Sequence, residues 1–111
     1  MNNDQRSGSG LHITTGAGPE GVVLGVSGAL DYTSAERFGA AVGKAYAEGA
    51  AVVTADLGAL GYCDSSGVAS LVRAHKLAVR EGRRFVVRAP DTTLARVFAL
   101  TGLDAVLEIE S

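Results

Sequence analysis

Two hydroxyls and a carboxylate stand together in Tyr62-Cys63-Asp64-Ser65-Ser66-Gly67, where an apolar run gives way to an amphipathic one. A helix beginning there leaves its first N–H groups unpaired and presents the positive end of its dipole, which suits an anion. The same side chains also suit ordinary capping, with Asp64, Ser65 or Ser66 accepting a hydrogen bond from the first turn. The two roles are compatible, because one side chain can cap while its neighbour stays exposed. Gly28-Ala29-Leu30-Asp31 brings a second carboxylate just ahead of another helix start.

Other chemistry is poorly provided for. His12 and His75 are too isolated for a metal site or a triad, and His75 falls in an apolar helical stripe that predicts packing. Cys63 neighbours Asp64, and a carboxylate raises a thiol pKa, so Cys63 reads as a small packed residue. As the only cysteine it excludes an intramolecular disulfide and an all-Cys metal cage. Ser65 lacks a G-x-S-x-G elbow and a His or Lys base, so no enzyme, catalytic residue, metal or cofactor is expected. Fifteen glycines include neither a P-loop nor a placed G-x-G-x-x-G. Gly16, Gly18 and Gly21 suit a turn, Gly28 a tight strand exit, and Gly67 close packing at a helix start. Arg80, Arg83 and Arg84 surround Gly82 and read as a solvated helix end. Tyr32 and Tyr62 flank the two aspartates; interface contact and burial with a wet hydroxyl account for them equally well.

The elements that must hold these residues follow from periodicity. Leu11–Thr15 and Val22–Leu30 predict a hairpin across the turn-rich GAGPEG. Thr33-Ser34-Ala35-Glu36 has the form of a capping box, followed by Phe38, Ala41, Val42, Ala45 and Tyr46 on one helix face, with Gly49 ending it. Ala51–Leu57 is a buried strand that gives way to a loop at Gly58–Asp64. A second helix starts near Ser65 or Ser66, with Val68, Leu71, Val72, His75 and Val79 as its inner stripe, and ends at Gly82. Phe85–Ala89 is a strand, Pro90-Asp91 opens a third helix closed at Gly102, and Val106–Ile109 is a final strand. The order β-β-α-β-α-β-α-β implies an α/β fold, a mixed sheet with parallel strands joined by right-handed helical crossovers.

The whole chain has 111 residues, 47% of them hydrophobic, enough for one compact domain. Residues 1–10 are expected to be a flexible tail and 11–111 the domain. Ten basic and twelve acidic side chains give a charge of −2, and aromatics are 5% with no Trp. A cationic or base-stacking nucleic-acid surface is not expected. No signal peptide or membrane-spanning stretch is read, so a cytoplasmic setting without membrane contact is expected.

At its central segment the chain resembles the STAS-domain anti-anti-sigma factors, bacterial antagonists of anti-sigma factors. Asp64-Ser65-Ser66-Gly67-Val68 is similar to the family's phosphorylation motif, and Gly28-Ala29-Leu30-Asp31 to its G-x-L-D motif. The stretch from Phe98 to Gly102-Leu103 resembles its late F-x-x-x-G-L helix end. The likeness runs from about residue 11 to the C-terminus. It implies a single STAS-like domain that, unmodified, binds an anti-sigma factor and so frees a sigma factor. It also implies a partner that is a serine kinase, an acceptor at Ser65, and a phosphatase that restores the unmodified form. Asp31, Asp64, Ser65, Ser66 and Gly67 would then form the partner-binding face. A monomer is the expected state. The alternative within the same broad family is a ligand-sensing or scaffold domain in a signalling or lipid-transport assembly.

Overall fold

A computed structural model describes residues 10–18, 20–88 and 92–110. Five strands form one sheet: β1 (Leu11–Ala17), β2 (Gly21–Leu30), β3 (Val52–Cys63), β4 (Arg84–Arg88) and β5 (Glu108–Glu110), in that spatial order. β1 pairs antiparallel with β2, and every later pairing is parallel. The crossovers are α1 (Ala35–Ala47), α2 (Ser65–Arg80) and α3 (Thr92–Leu100), the last followed by a single 3-10 turn at Leu103–Ala105. The small α/β domain with a mixed sheet expected from the sequence is therefore present. The expected tail, apart from Gly10, and the expected Pro90-Asp91 helix start lie outside the described residues.

Alternation builds the core. Leu24 and Val26 on β2, Val53, Ala55 and Leu57 on β3, and Phe85 and Val87 on β4 are all buried toward the helices. Phe38, Val42 and Tyr46 of α1, Leu71 and Ala78 of α2, and Phe98 of α3 join them in one cluster. Phe38 meets Phe85 edge to face, with ring centroids 6.3 Å apart, a preferred aromatic geometry. Val86 points to the opposite face and lies outside this cluster. That face carries ion pairs, Arg84 with Glu20 and Glu108, and Arg88 with Asp56 and Glu110.

The structure departs from the sequence reading in several places. β3 continues through the expected Gly58–Asp64 loop as far as Cys63. It does so by carrying an extra residue against β2 between Gly25 and Ser27, and another between Gly28 and Ala29. Such bulges let a strand with glycines at Gly58 and Gly61 stay in the sheet. The inner stripe of α2 is rotated from the expected one: Gly67, Ser70, Leu71, Ala74 and Ala78 face inward, and Val79 is 64% exposed. Small residues fill that face because α2 packs closely on the sheet and on α1.

The arginines around Gly82 are not one solvated cluster. Arg83 donates to the Tyr46 and Ala50 carbonyls at 2.8 and 2.7 Å and stacks on the Tyr46 ring. Arg84 is paired on the open face, and Arg80 is the member of the three that makes no ion pair among the described residues. The last strand is Glu108–Glu110, since the chain first makes its 3-10 turn after Gly102.

Candidate functional site

Parallel register aligns the ends of β2 and β3, with Ala29 opposite Tyr62 and Leu30 opposite Cys63. The turns into α1 and α2 therefore leave side by side at the carboxyl ends of neighbouring strands, the usual ligand edge of such sheets. Asp31 and Asp64 sit in these two turns.

Asp64 uses both carboxylate oxygens. Oδ1 accepts from the Gly67 N–H at 2.9 Å, capping α2. Oδ2 accepts from the Tyr32 N–H at 3.2 Å, across 32 positions of sequence. The Asp64 N–H donates in turn to the Leu30 carbonyl at 3.3 Å. One residue thus caps a helix and ties the two turns together.

Asp31 organises the other turn. Its Oδ1 accepts from the Thr33 N–H at 2.9 Å and from the Thr33 hydroxyl at 2.6 Å. The Thr33 hydroxyl bond in particular, with the Thr33 N–H and the Ser34 hydroxyl, holds the carboxyl below its ordinary value against the opposing effect of desolvation. The expected Thr33/Glu36 capping box does not form. Thr33 is committed to Asp31, and α1 begins after Ser34, whose hydroxyl makes no cap to the helix. Ser34 is fully buried instead: its Oγ accepts from the Asp31 N–H at 3.0 Å and donates to the Ala29 carbonyl at 2.9 Å. The sequence reading missed this residue. Its signal was a small hydroxyl next to the capping pattern, indistinguishable locally from a solvent-facing one.

Gly67 closes the site from beneath. A Cβ there would run into the Leu30 carbonyl oxygen and approach the Cys63 sulfur at 2.8 Å, so no side chain fits. Gly28 plays a similar part behind the turn, with φ +88° and its missing Cβ replaced by the Gly10 carbonyl. Cys63 is half-buried, and burial, helped by the Asp64 charge, pushes its thiol up to about 11. The sequence reading of Cys63 as a small packed residue with a raised thiol pKa agrees with this.

Ser65, the first residue of α2, is exposed, and its hydroxyl makes no hydrogen bond among the described residues. Ser66 is half-buried beside it. Tyr32 and Tyr62 are 78% and 58% exposed, so the open alternative is resolved toward surface rings flanking the turns. Asp31, Asp64, Ser65, Ser66 and Gly67 all belong to one edge of the molecule. Among the described residues no cluster of His, Cys, Asp and Glu could hold a metal, and no helix is long and apolar enough to cross a membrane.

A family model described as "Mlab, STAS domain" matches residues 13–108, and the chain belongs to the STAS-domain family. Its structure is similar to that of an anti-sigma factor antagonist from Mycobacterium paratuberculosis, with 25% identity and a TM-score of 0.78 over 89% of this chain and 84% of that one. It is similar also to an antisigma-factor antagonist STAS domain from Rhodobacter sphaeroides, at 27% identity and TM-score 0.57 over 73% and 88%. The phosphorylated form of the Bacillus cell fate determinant SpoIIAA shares the fold, at 24% identity and TM-score 0.66 over 91% of each chain. No curated protein sequence matches the chain.

Proposed function

We propose that this protein is an anti-sigma factor antagonist, not an enzyme, and that Ser65 is its switch. The observation that carries the reading is the division of labour at the start of α2. Asp64 and Gly67 are committed to the architecture, while the Ser65 hydroxyl between them is exposed and uncommitted. Residues 11–111 act as the working domain, in the cytoplasm, with an anti-sigma serine kinase as partner and a phosphatase to reset it.

In the modification step Ser65 Oγ forms a bond to the γ-phosphorus of ATP as the bond to the β–γ bridging oxygen breaks. ADP leaves, and the hydroxyl proton passes to a base of the kinase. The product adds about −1.5 to −2 charges and three acceptor oxygens. On a chain of net charge −2 this roughly doubles the negative charge, beside Asp31 and Asp64. The N-terminus of α2 accommodates the anion, so the fold is retained. A partner shaped for the neutral hydroxyl meets bulk, a dianion to desolvate and repulsion from its own carboxylates. A coupling of about 1–3 kcal/mol changes binding ~5–150-fold.

The match to a model described as "Mlab, STAS domain" favours a second reading, a scaffold STAS domain that docks in an assembly without phosphoryl transfer. Incubation with candidate anti-sigma kinases and ATP, followed by mass mapping, separates the two. Phosphate on Ser65, with Ser65→Asp weakening the complex and Ser65→Ala retaining it, supports the switch. No transfer, or equal binding by all three forms, overturns it.

A further inference from the structure

From the Tyr32 and Ser66 edge an open groove of about 940 Å³ runs between α1 and α2. Its floor is built of small side chains, Ala35, Gly39 and Ala40 from α1 and Ala69 and Ala74 from α2. Gly39 stands on the exposed face of α1 with nothing within 4 Å of where its Cβ would be. A glycine there weakens α1 by about 1 kcal/mol against alanine, with no internal contact that requires it.

Along the α2 rim stand Arg73, Lys76 and Arg80, all exposed. Spacings of three and four residues put them on one helix face, over about 10 Å of rise. None of the three is in an ion pair among the described residues, whereas Arg84 and Arg88 each have two carboxylate partners. A chain of net charge −2 therefore keeps a row of three unmatched cations along one side of the trough, against a single carboxylate, Glu36, on the α1 side.

We propose that this groove is the docking surface for an acidic amphipathic helix of the protein partner. The apolar face of that helix sits on the alanine and glycine floor, and its carboxylates, spaced three to four residues apart, face Arg73, Lys76 and Arg80. The small floor admits a helix backbone closely, as in other helix-in-groove recognition, and the cations set its register. This rests on the partner-binding reading of the adjoining Ser65 edge and gives the partner's chemistry.

The test uses the full chain and two labelled 18-residue amphipathic peptides with identical Leu/Ala faces, one carrying Glu and the other Lys at the flanking positions. Affinity is read by fluorescence anisotropy in 50 and 500 mM NaCl, and the site by amide NMR shifts. The expected result is binding of the Glu peptide, weaker in high salt, with shifts confined to residues 35–40 and 66–80. The triple variant R73E/K76E/R80E weakens the Glu peptide at least tenfold and improves the Lys peptide. R73Q/R80Q gives an intermediate loss, and circular dichroism checks that both variants fold. Equal binding of the two peptides, no effect of charge reversal, or shifts on the open sheet face overturns the proposal. So does capture by anionic phosphatidylglycerol vesicles, through the same cations, without peptide binding. Failure of the phosphorylation switch is read by mass mapping of Ser65 and failure of the groove by these peptide titrations on the unmodified chain, so the two are read separately.

Discussion

The Tyr32 N–H and the Asp64 carboxylate, 32 residues apart in sequence, share a hydrogen bond of 3.2 Å. The same carboxylate caps α2 through Gly67, so its two oxygens serve two different turns. Asparagine has only one carbonyl oxygen and can satisfy one of them. Asp64→Asn should therefore keep the cap or the tie but not both, at a loss of about 0.5–1 kcal/mol, and Asp64→Ala about 1–2 kcal/mol. Urea melts give the magnitudes, and amide exchange at Tyr32 and Gly67 identifies which bond is gone. Ser65→Ala, which removes no hydrogen bond made among the described residues, should stay within about 0.5 kcal/mol of wild type.

Two glycines of the helices should respond in opposite directions to alanine. At Gly67 the new methyl meets the Leu30 carbonyl and the Cys63 sulfur, and backbone there cannot yield cheaply. A loss of about 1–3 kcal/mol is expected. At Gly39 the space is open, and Gly39→Ala should stabilise by about 0.5–1 kcal/mol. Denaturant midpoints with unchanged m-values check both.

Much of this edge was legible in the sequence, because strand alternation and the D-S-S-G step between β3 and α2 are local patterns. What was not legible depends on partners distant in sequence. Gly58 and Gly61 read as a loop, since nothing nearby announces that β2 will hold β3 through two bulges. The T-x-x-E pattern at Thr33 was real as a string, but Asp31 claims the threonine first. Arg83 looked solvated because its acceptors, Tyr46 and Ala50, lie more than thirty residues earlier. The α2 stripe was read from the largest side chains, whereas close packing selected the smallest.

Alkaline pH should weaken the fold. Burial raises the Cys63 thiol from an ordinary 9.0 to about 11 and the Tyr46 hydroxyl from 10.0 to about 12. Between each pair of values the unfolded chain has lost a proton that the folded one keeps, so stability falls as pH rises. Denaturation midpoints should drop from about pH 9 to pH 12. Cys63→Ala should remove the lower part of that slope, and native Cys63 should react with a thiol reagent only at high pH.

Asp31 should act at the acid end. Its folded carboxyl lies below the ordinary 3.8, chiefly through the Thr33 hydroxyl. Above 3.8 both states are ionised and the stabilisation is fully present; as pH falls through the folded value it disappears. Asp31→Ala should therefore be less stable than wild type at pH 7, with the gap narrowing toward pH 2–3. Parallel urea titrations at the two pH values read this directly.

The Leu30 carbonyl faces both the Asp64 N–H and the vacant Cβ position of Gly67. Hence the hexapeptide from Tyr62 to Gly67 is not a portable cassette. Grafted onto an unrelated α/β scaffold it would bring the acceptor hydroxyl but leave its foundation behind. Any transplant has to include residues 28–34 as a second, separately inserted piece, together with a parallel neighbour in matching register.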